Sequence, residues 1–197
     1  MAKNNRHGQA AILSDVEIRK IRKSLSLDKH KLMFDIAVFT GERWGAICQL
    51  EIGDVYASPD KSIPHEQITF RAMTRKSAPD GTRTTRQVPI HPTLKERLRA
   101  YRPPPYGYLF LNRDGANHMS MRAADKFFRR AVERAGLESR GISTHSTRRT
   151  FITKLYLNGV DIYVLQKLTG HKTLSSLLKY VEVSQNRVNQ AISCLSA

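Results

Sequence analysis

Two side chains with chemistry of their own stand nine residues apart in "LTGHKTLSSLLKYVEV", Leu168 to Val183: His171 and Tyr180. The stretch between them is amphipathic, with Leu174, Leu177, Leu178 and Val181 on an apolar face, so the pair either helps to fill a core or meets over a substrate. A second imidazole lies upstream in "THSTRR", where His145 and Arg148 are three apart and, on a helix, share one face. A titratable ring beside a permanent cation is a poor choice for a core. The plain alternative has His145 packing locally while Arg148 faces solvent. A further cation, Arg43, follows "TG" at the head of an otherwise apolar segment (Trp44, Ala46, Ile47, Leu50), a place where a guanidinium usually has an anion to hold. The plain alternative there is an internal ion pair with Asp54 or Glu51.

Charge narrows what such residues would act on. The chain has 33 Lys plus Arg against 17 Asp plus Glu, a formal net charge of +16 in 197 residues, which favours a polyanion, and nucleic acid over a membrane. No run of about 18 apolar residues is present for a membrane span. The opening "MAKNNRHGQA" contains no apolar stretch of the kind that directs export, so a cytoplasmic, nucleoid-associated protein is expected. Cys48 and Cys194 are far apart and read as buried thiols, not as a disulfide framework or a zinc site. No Asp, Glu or His cluster has metal-ligand spacing and no glycine-rich phosphate loop occurs, so neither metal nor cofactor is expected.

The elements that must hold these residues follow from hydrophobic period. Residues 1–12 are polar, basic and aperiodic, and are expected to form a flexible arm. Ser14 followed by Glu17 is a capping-box pattern ahead of Ile18, Ile21 and Leu25 at helical spacing. A second helix is expected from about Lys29 to Thr40, stopping at Gly41, and a short third over "RWGAICQL". The period then changes: "QITFRAM" and "RQVPI" alternate around "TRKSAPDGTRTT", which predicts a hairpin over Gln67 to Ile90 with a long mobile loop turning at Asp80-Gly81. "HPTLKERLRAY" is helical and "YGYLFL" strand-like. "SMRAADKFFRRAVERAG" is a strong helix burying Met121, Ala124, Phe127, Phe128, Ala131, Val132 and Ala135, with Arg122, Lys126, Arg129, Arg130 and Arg134 turned to DNA or to solvent. Helices follow over "STHSTRRTFITKLYL", "DIYVLQKL" and "LSSLLKY", with a last one at 184–195. The predicted fold class is mainly α with a small antiparallel β-sheet, in one domain with enough apolar residues (40%) for a single core.

In order and spacing, "TGERWGAI", "THSTRRTF" and "LTGHKTLSSLLKYVEV" resemble the tyrosine recombinases, the phage integrase family. Members of that family carry an Arg after Thr-Gly, a His-x-x-Arg motif, a Gly-His, and a nucleophilic Tyr nine residues past that His. The resemblance implies a tyrosine recombinase catalytic domain over residues 13–197; most members carry an N-terminal core-binding domain ahead of it, and none is expected here, as in the short single-domain recombinases or in a fragment. It also implies a site-specific recombinase that cuts and rejoins DNA through a covalent 3′-phosphotyrosyl intermediate. The catalytic residues would be Arg43, Lys76, His145, Arg148, His171 and Tyr180.

The chemistry suits them. A tyrosine oxygen can form an ester with phosphorus that conserves the energy of the broken bond, although a phenol ordinarily titrates near about 10 and needs help. Two guanidiniums, Arg43 and Arg148, would clamp the non-bridging oxygens of the transition state, and His171 would add a hydrogen bond to the same phosphate. His145 would carry the proton at the tyrosine oxygen. Lys76, the only lysine between Lys61 and Lys95, lies in the loop where the family places its catalytic lysine and would protonate the leaving 5′ oxygen. Further DNA contacts are expected at Arg75, Arg83, Arg122, Lys126, Arg129, Arg149 and Lys172, with assembly of a tetramer on two DNA sites. Two departures stand out. The family usually has an acidic residue three places after its first Arg, where this chain has Ala46, leaving Glu42 or Glu51 to substitute. Thr147 stands where Leu is usual. Competing readings are a type IB topoisomerase-like relaxase and a non-catalytic DNA-binding protein on the same scaffold.

Overall fold

In the computed structural model, which describes residues 10–75, 77, 81–180, 189, 192 and 193, the first helix begins where its capping pattern places it. The Ser14 hydroxyl accepts from the Glu17 amide and the Glu17 carboxylate accepts from the Ser14 amide, so α1 (Asp15–Ser24) starts with donors satisfied that would otherwise be orphaned. Its inner face buries Ile21, and Leu25 closes it. Leu13, just before the cap, is buried and its amide donates to Thr150 Oγ1, and two residues earlier the Ala11 amide donates to the Gly141 carbonyl. Residues 1–9 of the arm expected over residues 1–12 lie outside the described residues.

The chain forms two compact units, residues 1–151 and residues 152–197. The centre of the first is α2 (Asp28–Thr40), which buries Leu32, Met33, Phe34, Ile36 and Ala37 and so is apolar nearly all round, as a core helix must be. It ends at Gly41 in the left-handed conformation (φ +60°). A Cβ there would lie 2.5 Å from Phe151 Cδ1, so backbone and space both demand glycine. After it come α3 (Trp44–Cys48), α4 (Pro92–Ala100) and α5 (Met121–Arg134). Phe34 and Trp44 stack on Phe128 of α5 at 5.8 and 4.9 Å between ring centroids, which joins α2, α3 and α5 in one aromatic core. Along α5, Ala124, Phe127, Phe128, Ala131 and Val132 are buried as predicted, while Met121 is exposed and Ala135 half-buried, because the first turn and the last residue overhang the core.

Two small antiparallel sheets replace the single sheet expected: β1 (Tyr56–Ser58) with β2 (Ile63–Pro64), and β3 (Gln67–Phe70) with β4 (Arg86–Pro89). The hairpin register is Gln67 opposite Pro89 and Phe70 opposite Arg86. The strand read over "QITFRAM" stops at Phe70. Arg71 turns back to Glu51 and Asp54 in ion pairs, and a 3-10 turn (Ala72–Thr74) follows. "YGYLFL" is not a strand. Tyr108 and Leu111 each make one isolated bridge, to Glu51 and His118, beside a left-handed Gly107.

The helix α6 (Thr144–Leu157) spans the boundary between the units. Unit two continues with α7 (Ile162–Thr169), capped by the Asp161 carboxylate on the Tyr163 and Val164 amides, and α8 (Leu174–Leu178), capped by Thr173. Of the apolar face read over this stretch, Leu177 is buried, Leu174 half-buried and Leu178 exposed. The helix expected over 184–195 lies outside the described residues except at 189, 192 and 193.

Candidate active site

The turn Thr40-Gly41-Glu42-Arg43 collects arginines. The Thr40 carbonyl accepts from Arg86 Nη2 at 2.7 Å and the Gly41 carbonyl from Arg148 Nη1 at 2.9 Å, both at the negative end of the α2 dipole. The buried Glu42 carboxylate accepts from Arg86 Nη1 at 2.8 Å and from the Arg43 amide at 2.8 Å, and lies 3.8 Å from Arg148. Arg75 Nε is 3.3 Å from the same carboxylate but off the hydrogen-bond axis, so that contact is coulombic, while Arg75 Nη1 donates to the Thr84 carbonyl at 2.6 Å. Burial pushes the Glu42 carboxyl up, but Arg86, Arg148, Arg75 and the Arg43 amide outweigh it and hold it below the ordinary carboxylate range. Burial likewise draws Arg86 down, against the pull of Glu42.

Above this cluster opens a cleft of about 410 Å³ lined by Arg43, Arg75, Arg83, His145 and Arg148, with Trp44, Ala46 and Met121 as apolar wall. No carboxylate of the described residues lines it. The Arg43 guanidinium, at the N-terminus of α3, forms no ion pair with a carboxylate among the described residues; Glu51 and Asp54, its possible internal partners, hold Arg71 instead. The plain alternative for the His-x-x-Arg pair is reversed: His145 is exposed at the cleft and Arg148 is buried beneath it. Thr147 has a polar task, accepting from Trp44 Nε1 at 3.1 Å and donating to the Thr144 carbonyl, which pins the cleft's indole wall to α6. Convergent guanidiniums over a low-dielectric floor are suited to a phosphate and to negative charge developing on it.

The second unit brings His171 and Tyr180 together, with ring centroids 5.7 Å apart. Tyr180 is held through its backbone: its amide donates to the Leu177 carbonyl and its carbonyl accepts from Thr153 Oγ1 at 3.1 Å. The Thr169 hydroxyl lies 2.6 Å from both His171 Nδ1 and the Leu165 carbonyl. When its single proton goes to Nδ1, Nε2 carries the ring N–H and is the donor.

The other expected residues are spread out. Lys76 lies outside the described residues. Arg83 Nη1 donates to the Met73 carbonyl at the cleft's edge. Arg122, Lys126 and Arg129 are exposed on α5, Arg129 paired to Asp125 at 2.9 Å. Lys172 is exposed beside His171. Arg149, expected at DNA, donates instead to the Ala10 carbonyl at 2.9 Å and ties down the chain's first described residue. Arg75 is buried in the Glu42 cluster, not displayed on a loop. Cys48 is a buried thiol, its pKa pushed up to about 12 by burial, and Cys194 lies outside the described residues. Arg86 escaped the sequence reading. Its signal was the alternation in "RQVPI", which sets Arg86 on the buried side with Val88.

The sequence model of the phage integrase family matches residues 13–187. The chain belongs to the phage integrase family. It is 27% identical over 188 residues to the tyrosine recombinase XerC of Halalkalibacterium halodurans, covering 90% of this chain and 59% of that protein. Among solved structures it is similar to the catalytic domain of bacteriophage HP1 integrase (25% identity, TM-score 0.66, 94% of this chain and 95% of that one). It also shares the fold of the XerH site-specific recombinase bound to difH substrate (22% identity, TM-score 0.69, 93% of this chain and 54% of that one). The chain spans 40 to 60% of the length of several curated relatives it matches. Its helices and small antiparallel sheets are those of the tyrosine recombinase catalytic domain.

Proposed function

We propose that this family member is a site-specific DNA recombinase that cuts and rejoins double-stranded DNA through a covalent 3′-phosphotyrosyl intermediate. The observation that carries this reading is the cleft where Arg43, Arg148 and His145 converge on space with no carboxylate lining among the described residues. In the reaction the Tyr180 oxygen attacks the scissile phosphorus, the bond to the 5′ oxygen breaks, and the 3′ phosphate remains on the tyrosine. Arg43 and Arg148 hold the non-bridging oxygens, His171 donates to one of them, His145 takes the phenolic proton, and Lys76 protonates the departing 5′ oxygen. The later attack of a 5′ hydroxyl on the phosphotyrosine reverses each transfer, so no external energy source is needed. Relatives named XerC and XerA and the DNA-bound XerH support a DNA substrate. Assembly as a tetramer on two sites and a place at the nucleoid belong to the same proposal.

The test is covalent trapping on a nicked suicide half-site in the presence of EDTA. Wild type should form an adduct stable to denaturant, and Tyr180→Phe, which keeps the ring and both backbone hydrogen bonds, should bind the half-site and form none. A non-catalytic binding protein would trap with neither, and a relaxase would act on supercoiled plasmid without exchanging partners. Lys76→Ala should slow cleavage of ordinary DNA by about 10²–10⁴-fold. It should cleave a 5′-bridging phosphorothiolate almost as fast as wild type, since sulfur departs without a proton.

A further inference from the structure

The carboxylate of Glu42 is 1% exposed and meets four groups, two of which belong to the arginines of the proposed phosphate clamp. It accepts from the backbone amide of Arg43, so it fixes the residue that starts α3. It neutralises Arg148, whose guanidinium is also held by the Gly41 carbonyl. It pairs with Arg86 on β4 and with Arg75, which sits at the foot of the β3–β4 connection next to Lys76 in sequence and grips the Thr84 carbonyl across that connection. One buried carboxylate thus ties the C-terminus of α2, the start of α3, α6 and both ends of the hairpin connection. Ala46, in the cleft wall, offers only a methyl group.

Three guanidiniums confined beneath one cleft repel each other, and without a counter-charge their lowest-energy arrangement is to spread. Glu42 is placed to prevent this. Its two oxygens are divided: Oε2 faces Arg86 and Arg75, and Oε1 faces the Arg43 amide and Arg148. We infer that Glu42 is a positioning residue of the phosphoryl transfer, which sets the Arg148 guanidinium of the phosphate clamp and the foot of the connection that carries Lys76 in one geometry. This rests on the recombinase reading above. It assigns Glu42 no contact with DNA and no proton.

The experiment compares Glu42→Gln with Asp35→Asn, a second buried carboxylate whose arginine partners lie outside the cleft lining. For each, single-turnover cleavage at saturating half-site, half-site affinity and thermal unfolding are measured on the full chain. Glu42→Gln keeps the shape and one of the two acceptor oxygens and removes the charge. Its cleavage rate should fall by about 10–100-fold while half-site affinity changes by less than about threefold. Asp35→Asn should leave both cleavage rate and half-site affinity unchanged. Cleavage by Glu42→Gln at the wild-type rate, or a fall of rate and affinity by the same factor, would overturn the role. If Glu42→Gln does not fold, Glu42→Asp, which keeps the charge but withdraws it by one methylene, is read by the same split. A wild-type protein that traps no covalent adduct would instead overturn the recombinase reading and this role with it.

Discussion

Two carboxylates of similar burial, Asp35 and Glu42, lie seven residues apart at the centre of the first unit, and each gathers arginines. Asp35 accepts from Arg22 at 2.9 Å and Arg97 at 2.6 Å, joining α1, α2 and α4. Those arginine side chains are 34% and 30% exposed, so water shares their charge. Burial therefore prevails over Arg22 and Arg97, and the Asp35 carboxyl is held above its ordinary range. Glu42 meets three guanidiniums whose side chains are 4 to 6% exposed. There burial loses, and the carboxyl is held below its ordinary range. The difference teaches that a buried acid with arginines is not one kind of object. Around Asp35 the charges hydrate and close a structural joint. Around Glu42 positive charge exceeds negative, two of the cations line a cleft, and the surplus is what an incoming phosphate would neutralise.

The largest expected effect separates the arginines themselves. Arg148→Lys, which loses the planar fork, should slow single-turnover cleavage by about 10²–10³-fold, whereas Arg97→Lys should leave it unchanged. Equal losses would erase the distinction between joint and clamp. Stability should part the two acids next. In denaturant unfolding at neutral pH, Glu42→Gln should lose about 3 kcal/mol, since it leaves buried cations uncompensated, whereas Asp35→Asn should lose nothing or gain slightly, since burial already disfavours the Asp35 charge and its arginine partners can hydrate.

Acid should act on the two in opposite directions. Glu42, with its folded pKa lowered, contributes stability that is present above the unfolded carboxylate value and is lost as pH falls through the folded one. Asp35, with its folded pKa raised, contributes stability that is present below the unfolded value and is lost as pH rises through the folded one. A titrating group with no counter-charge gives the reference. His30 is stacked on Phe127 at 3.8 Å and drawn down to about 4 by burial, with Lys29 and Arg134 adding repulsion. Its contribution is full above the unfolded imidazole value of about 6.5 and fades as pH falls toward 4. His30→Phe should therefore lose about 1–2 kcal/mol less than wild type between pH 7 and pH 4. The smallest effect concerns Ala46. With Glu42 already filling the carboxylate role, Ala46→Glu should change the cleavage rate by less than about threefold, and a clear gain would show Arg43 to be under-supported.

Much of this organisation was legible in the chain. The capping box at Ser14 and Glu17, the stop at Gly41 and the pairing of the two strands around Gln67 to Ile90 all follow from local rules that the tertiary structure does not override. What escaped was burial of charge. Periodicity treats an arginine as a surface residue, so Arg75 was read as a displayed DNA contact and Arg86 was passed over, although each is nearly inaccessible. Only the pairing of both with Glu42, helped by the Thr40 carbonyl for Arg86 and the Thr84 carbonyl for Arg75, makes such burial tolerable, and that pairing joins positions more than 30 residues apart. Arg149 is likewise held by a contact distant in sequence. Adjacent to Arg148 on α6, it points to the chain's own backbone at Ala10.

The central claim is that Tyr180 becomes the phosphorus-bonded residue. The direct measurement is to trap the wild-type protein on a suicide half-site, digest it, and sequence the nucleotide-bearing peptide by mass spectrometry. The account predicts one modified peptide, with the 3′ phosphate of the cleaved strand esterified to the Tyr180 oxygen, and none from Tyr180→Phe. A nucleotide carried on any other residue, or an adduct that persists in Tyr180→Phe, would contradict it.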